Sequence, residues 1–225
     1  MAAKMSKKEL KEPDFLQVEF AKVTDLIVRH RMKLYVILAL HLLGLAIASG
    51  WYLYRAHYNK SALKLYSQVE TSALQKDKQI DQAKLLAGYK KVVAQYPRSP
   101  AALHSLYMQG NLYLSMNQID PALAAYDEFL HKASGKDYLS VLAHAGKGYG
   151  YEVKKDYKNA LAAFDQALQA DQGKIFAGQL YRDKGRIYEA LHDRPKALEY
   201  YRQSLEKTKD PTVEMILKRK IAELS

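Results

Sequence analysis

The chain has 225 residues, of which 48% are hydrophobic and 26% are charged, and its formal net charge is +11. This composition indicates a folded protein, and the absence of cysteine excludes disulfides, cysteine-ligated zinc and thiol catalysis. Acidic residues are interleaved with basic ones along the second half, which predicts a solvated helical surface and does not favour nucleic-acid binding. Attraction to anionic lipid headgroups is the remaining explanation of the charge. The 18 tyrosines, against 5 phenylalanines, need an explanation from the fold.

Residues 1–33 form a charged leader that we predict to be cytoplasmic. Disorder is expected before Asp14, because charged residues and Pro13 dominate that stretch. From Phe15 to Val28, apolar residues recur at three- and four-residue spacing. This spacing predicts a short amphipathic helix that lies at the inner headgroup surface.

Residues 34–54 form a run without a charged side chain, and Tyr35, Trp51, Tyr52 and Tyr54 stand near its two ends. A helix of this length spans about 30 Å, the thickness of the hydrocarbon core of a bilayer. Aromatic rings with a polar tip favour the headgroup level. The run therefore predicts a single transmembrane helix.

A cleaved signal peptide is the alternative, because Ala46 and Ala48 have the spacing of a cleavage site. Against cleavage, the leader is longer than a usual signal-peptide n-region, and the apolar run continues to Tyr54. Four basic residues precede the run in residues 19–33, and three follow it in residues 55–69. By the positive-inside rule this bias predicts a cytoplasmic N-terminus and a C-terminal domain on the opposite side.

The second half of the chain repeats itself. Aromatic residues recur at spacings of 37, 38 and 37 residues, at Tyr89, Tyr126, Phe164 and Tyr201. A small residue stands four residues before each of the last three rings, and a glycine stands twelve residues before that (Gly110, Gly148 and Gly185). Such recurrence predicts stacked pairs of helices in which a glycine on one helix faces a ring on the other.

The pattern resembles the tetratricopeptide repeat, which has a small residue at position 8, Tyr at 11, Ala at 20 and an aromatic at 24. The repeat domain would cover residues 55–225, with units near 66–102, 103–140, 141–177 and 178–211 and a capping helix at 212–224. The first unit departs most, because Lys76 replaces the tyrosine and Leu85 replaces the alanine. The predicted fold class is all-α: an N-terminal transmembrane helix followed by a tetratricopeptide-like helical-hairpin solenoid.

The resemblance implies that the first helix of each unit lines a concave face that binds proteins. Carrying positions 2, 5, 9 and 12 onto three units of this chain gives twelve residues. The candidate partner-binding residues among them are His104, Tyr107, Asn111, Leu114, Tyr149, Arg182 and Arg186. This mixture suits an extended peptide or a partner helix. Arg182 and Arg186 lie one helical turn apart, which suits either an acidic group of a partner or a solvated face. A carboxylate clamp is not favoured, because only Asn111 matches its pattern.

We expect no enzyme activity and no catalytic, cofactor or metal site. The seven histidines are scattered, without metal-ligand spacing. The glycines around Lys147 lie inside a predicted first helix without a preceding strand, so packing explains them better than phosphate binding.

The layout as a whole is similar to the YfgM-like family, the ancillary subunit of the SecYEG translocon. The shared features are the charged leader, an early apolar helix ending in an aromatic–Arg patch at residues 51–55, the repeats, and a short terminal helix. The resemblance implies a periplasmic repeat domain at the bacterial inner membrane. Its partners would be SecYEG, secreted polypeptides and periplasmic chaperones, including a prolyl-isomerase-type partner. The alternative is a structural scaffold of another envelope assembly, such as a secretion, pilus or wall-synthesis machine.

Overall fold

The computed structural model describes residues 15–73, 81–135 and 137–225, and within these ranges every regular element is a helix. The elements are α1 Phe15–Ala73, α2 Gln82–Gln95, α3 Pro100–Ser115, α4 Ile119–Lys132, α5 Tyr138–Val153, α6 Tyr157–Gln169, a 3₁₀ turn Gly173–Phe176, α7 Ala177–Ala190, α8 Arg194–Lys207 and α9 Pro211–Leu224. The chain divides into two units, Met1–His57 and Tyr58–Ser225. The predicted all-α solenoid is confirmed.

The first unit consists, in its described part, of the N-terminal portion of α1. Large apolar side chains from Leu34 to Tyr54 are between 42% and 72% exposed. The stretch Val18–Ser72 is the one described helix with the length and apolar composition needed to cross a membrane. The short separate helix expected at residues 15–28 is instead the start of α1, because no glycine or proline lies between Phe15 and Gly44. The expected disorder before Asp14 lies outside the described residues.

The second unit is built from helix pairs: α3 with α4, α5 with α6, and α7 with α8. In each pair a glycine of the first helix faces an aromatic ring of the second helix, as the repeat pattern predicts. A Cβ on Gly110 would lie 2.5 Å from the Tyr126 ring, and one on Gly148 would lie 2.5 Å from the buried Phe164 ring. Gly185 has the same relation to the Tyr201 ring, at 2.7 Å. Each glycine therefore lets the second helix of its pair approach closely.

The first helix pair of the second unit is made from the end of α1 and from α2. Ala62 and Val69 of α1 pack in one core cluster with Tyr89 and Val92 of α2. Here the glycine lies on the second helix, because a Cβ on Gly88 would lie 2.7 Å from Val69. Position 11 of this unit, Lys76, lies outside the described residues.

The turns within the three later pairs share one backbone conformation. Asn117, Lys155 and His192 have φ of 57°, 57° and 58°, the left-handed region that ends many helices. The next residue in each turn donates its N–H to a carbonyl five residues back, as in Asp156 N–H to Tyr151 O at 2.9 Å. These bonds satisfy carbonyls that the end of a helix leaves without partners.

Side-chain caps and prolines set where the helices start. Ser99 and Asp137 accept hydrogen bonds from the backbone N–H of Ala102 and Ser140, which satisfies free donors at the N-termini of α3 and α5. Pro100 and Pro211 are the first residues of α3 and α9. A proline is tolerated there because its missing N–H would have no partner within the helix.

Candidate functional site

The candidate partner-binding residues lie on the first helices α3, α5 and α7, and we call their shared surface the first-helix face. The structure joins three polar side chains on this face. The Tyr149 hydroxyl of α5 donates to Asp183 Oδ2 of α7 at 2.6 Å and accepts from the Gln179 amide at 2.9 Å. Asp183 is 1% exposed, and burial raises the pKa of its carboxyl, although the Tyr149 hydrogen bond and Arg186 act in the opposite direction. Tyr149 is therefore a link between neighbouring repeats.

Arg186 is held by two carboxylates of its own chain. Its Nε and Nη2 donate to the two oxygens of Glu152 at 2.8 and 2.7 Å, and its Nη1 lies 3.1 Å from Asp183 Oδ1. The Glu152 hydrogen bonds raise the pKa of the guanidinium. Since a bidentate pair uses the fork geometry of arginine, this side chain holds α5 against α7. Arg182, by contrast, forms no ion pair within the described part of the chain.

Of the four candidates on α3, three contact other side chains of the core and one is exposed. Tyr107 packs its ring 6.1 Å from Tyr126 and 6.0 Å from Phe129, and Leu114 packs against the same core cluster. Asn111 Oδ1 accepts a hydrogen bond from the Tyr126 hydroxyl at 2.6 Å. His104 is exposed and makes an edge contact with Tyr66. Of the four candidates on α3, His104 is therefore the one most open to a partner.

All three tyrosines at the ring position of the repeat donate a hydrogen bond as well as packing in the core. Tyr126 donates to Asn111, Tyr201 donates to Glu189 Oε2 at 2.6 Å, and Tyr89 donates to Glu70. Burial raises the pKa of each of these three phenols. These three tyrosines are thus explained by packing and by hydrogen bonds that cross between paired helices.

A cleft of about 570 Å³ opens beside the start of α7, and the sequence pattern gave no indication of it. Its lining includes the basic residues Lys174, Arg182, Lys207 and Lys209 and the apolar residues Ile175, Phe176 and Val213. Lys207 ends α8 and Lys209 follows it, and in the sequence both appear only as part of a mixed-charge stretch. The fold is what brings them beside the 3₁₀ turn and α7. We call this feature the basic cleft.

Among the described residues, no group of three or more histidine and carboxylate side chains is placed to hold a metal ion.

Comparison with known proteins identifies the family. The family model described as a tetratricopeptide repeat-like domain matches residues 30–225. The chain belongs to this family. Domains of this kind are protein-interaction modules, so the general function of the repeat domain is to bind other proteins.

Solved structures agree with this repeat-like domain in fold. A crystal structure of MamA has a TM-score of 0.51 at 15% identity, covering 75% of this chain and 87% of that chain. The Q17M structure of putative kinesin light chain tetratricopeptide-like repeats from Podosopora anserina has a TM-score of 0.58 at 13% identity. That match covers 75% of this chain and 86% of the other.

The curated relatives are much longer proteins. A probable UDP-N-acetylglucosamine–peptide N-acetylglucosaminyltransferase SPINDLY from Solanum lycopersicum is 33% identical over 92 residues, and the Petunia hybrida protein is 34% identical over the same length. The match covers 39% of this chain and 10% and 9% of those proteins. This chain thus spans about a tenth of the length of the relatives it matches, within its repeat region.

Proposed function

We propose that this chain is a membrane-anchored tetratricopeptide protein of the bacterial inner membrane that assists the SecYEG translocon. Its repeat domain would bind secreted polypeptides at the periplasmic face and pass them to chaperones, including a prolyl-isomerase-type partner. The observation that carries the proposal is the presence, in one chain, of an exposed apolar helix and a protein-binding repeat domain. The resemblance of the layout to the YfgM-like family supports the choice of translocon.

The anchor in this proposal is residues 34–54, with residues 1–33 as the cytoplasmic leader and residues 55–225 as the repeat domain. The large apolar side chains of this segment are exposed in the first unit, and lipid is the solvent that would cover them favourably. Its backbone polar groups are paired within the helix, which a membrane span requires.

The mechanism is tethering. An anchored domain stays near the membrane surface, so its effective concentration at a translocon is high even when each contact is weak. The domain then needs only modest affinity for an emerging chain and can release it to a chaperone. Rapid exchange of this kind suits a protein that hands a substrate to another protein.

Within the first-helix face, His104 and Arg182 are the proposed contacts with a partner. His104 is exposed, and Arg182 has no ion pair within the described residues. Tyr107, Asn111, Leu114, Tyr149 and Arg186 would shape the face from beneath, since each packs in the core or is bound to a neighbouring side chain. An extended peptide or a partner helix is the ligand that fits such a face.

Site-specific photo-cross-linking in living cells tests the proposal. A photoreactive amino acid at position 104 should capture translocon subunits or emerging secreted chains. The matched controls are positions 91 and 158, exposed lysines on the second helices α2 and α6, and they should not. Capture of subunits of a pilus, secretion or wall-synthesis machine would replace the proposal with the scaffold alternative. Capture of no envelope protein would contradict both.

Localisation has a separate test. A reporter that is active only in the periplasm, fused after Ser225, should be active. A cytoplasmic reporter at the same place should be silent. The reverse pattern would overturn the localisation and the translocon assignment together.

A further inference from the structure

We propose that the basic cleft binds an acidic peptide segment of a partner protein, one in which an apolar side chain stands among carboxylates. This inference rests on the proposed protein-binding function and names the chemistry of one ligand. The cleft is formed within the second unit by the 3₁₀ turn, the first turns of α7, and the connection between α8 and α9.

The first argument is charge. Lys174, Arg182, Lys207 and Lys209 line the cleft, and none of them forms a side-chain ion pair or hydrogen bond within the described residues. The lining also contains the carboxylate of Asp210, which caps α9 by accepting from the N–H of Thr212 at 2.8 Å and keeps its negative charge. The four cations still outnumber this one carboxylate. Four cations at one cleft repel each other, and an anionic ligand relieves that repulsion. Elsewhere on α7, Arg186 and Lys184 have carboxylate partners from the same chain.

The second argument is the apolar part of the lining. Ile175 is 72% exposed, the highest value among the large apolar side chains that are exposed in the described part of the second unit. Phe176 and Val213 lie partly buried beside it in the same cleft. An exposed apolar side chain flanked by unpaired cations matches a ligand that offers an apolar group between anions. Simple inorganic anions lack that apolar group.

The third argument distinguishes a peptide from a bare phosphate group. The Gln179 amide donates through Nε2 to Tyr149, and its oxygen accepts no hydrogen bond within the described residues. Gln179 lines the cleft, and its oxygen can accept the backbone N–H of an extended peptide. A bare phosphate has only acceptor oxygens to offer there, so the Gln179 oxygen fits a polypeptide better than a bare phosphate. A headgroup with hydroxyl donors is separated from a peptide by the displacement experiment below.

The test uses the full-length chain in detergent micelles and a fluorescently labelled peptide in which one leucine is flanked on both sides by glutamates. Fluorescence anisotropy should show binding that weakens as salt rises, because exposed charges are screened. A peptide with glutamines in place of the glutamates should lose binding, and one with alanine in place of the leucine should bind more weakly.

Charge reversal locates the site. The double variant Lys207→Glu/Lys209→Glu should weaken peptide binding by about tenfold or more, because favourable pairs become repulsive ones. Lys207→Gln/Lys209→Gln should give a smaller loss, which guards against an effect of reversed charge on folding. The matched control, Lys91→Glu/Lys158→Glu, makes the same change in net charge on exposed second-helix sites outside the cleft. It should keep the affinity within about twofold.

Three results would overturn the inference. The first is equal binding of the glutamate and glutamine peptides, and the second is equal weakening by the cleft and control variants. The third is full displacement of the peptide by glycerophosphoglycerol, which would assign the cleft to lipid headgroups. Cross-links from position 104 that persist in the Lys207→Glu/Lys209→Glu chain would show that the proposed function stands even if the cleft does not bind acidic peptides.

Discussion

Glycine 148 illustrates, at the scale of one residue, how each helix pair is held. Gly148→Ala would place a Cβ 2.5 Å from Phe164, a ring with no exposed surface and therefore little room to move. Overpacking of this kind costs about 1–3 kcal/mol of unfolding free energy. Gly178→Ala is the control, because its Cβ would meet its nearest atoms at 3.4 Å, an ordinary contact. Urea unfolding followed by circular dichroism should show a loss for the first variant alone. Equal stability of both variants would contradict this account.

Single residues also show where sequence reasoning is incomplete. The ring and glycine positions are predictable because they recur at one period and serve one local contact. The pairs Tyr149–Asp183 and Glu152–Arg186 are not, because their members are 34 residues apart while the period of this chain is 37 or 38. Contacts between first helices thus join residues that are not equivalent in the repeat. Only the stacking of the helices reveals that Arg186 already has partners.

At the scale of one element, the turn after α5 contains a strained residue. Lys155 has φ of 57°, which costs a non-glycine residue about 1 kcal/mol, and its side chain is exposed. We expect Lys155→Gly to raise the unfolding free energy by about 0.5–1 kcal/mol, since glycine adopts this conformation without strain. Ala162→Gly, at an exposed position inside α6, should instead lower it by about 1 kcal/mol. Thermal unfolding of the two chains should shift in opposite directions; a shift in the same direction would refute the argument.

The docking of α9 has a predicted pH dependence. Glu189 of α7 accepts hydrogen bonds from Lys220 of α9 at 2.7 Å and from Tyr201 of α8 at 2.6 Å. Partial burial raises the pKa of Glu189, but these two hydrogen bonds outweigh it and the net pKa is lowered. A lowered pKa in the folded state gives stability that is present above the ordinary glutamate pKa and is lost as the pH falls through the folded value.

Glu189→Gln should therefore cost about 0.5–1 kcal/mol at pH 7, a modest figure because solvent screens a partly exposed pair. The difference from the wild-type chain should shrink as the pH falls below about 4, where the wild-type carboxyl also becomes neutral. Urea midpoints measured across this range check the prediction. Glu206→Gln, an exposed site without an ion pair among the described residues, should change stability by less than about 0.5 kcal/mol at every pH. If Glu189→Gln lowered the unfolding free energy by the same amount at every pH, the shape of the side chain rather than its charge would be what matters.

Some helix boundaries can be predicted from the sequence, and others cannot. Caps such as Ser99 and Asp137 are readable from the sequence, because a cap acts on the next few residues. The length of α1 is not readable in the same way. The leader has an amphipathic pattern and the following run is apolar on every side, so the pattern changes near Leu34 while the backbone remains helical. A change from an amphipathic to a fully apolar sequence thus need not coincide with the end of a helix.

At the scale of the whole molecule, the deciding question is whether the apolar run of α1 holds the chain in a membrane. Leu42 and Leu45 lie within residues 34–54 and are 57% and 61% exposed. Arginine near the centre of a membrane helix costs about 2.5–3.5 kcal/mol. Leu42→Arg/Leu45→Arg should therefore release a large fraction of the protein from membranes extracted with alkaline carbonate.

Leu63→Arg is the matched control, because Leu63 lies on the same helix and is 59% exposed but belongs to the second unit. The control chain should stay in the membrane pellet as the wild-type chain does. The single variant Leu42→Arg gives the comparison with an equal number of added charges, because Leu42 and Leu63 share the helix and nearly the same exposure. A difference between these two chains isolates the effect of lipid around residues 34–54. Retention of the Leu42→Arg/Leu45→Arg and Leu63→Arg chains alike would mean that the run does not anchor the chain, and the tethering mechanism would fail with it.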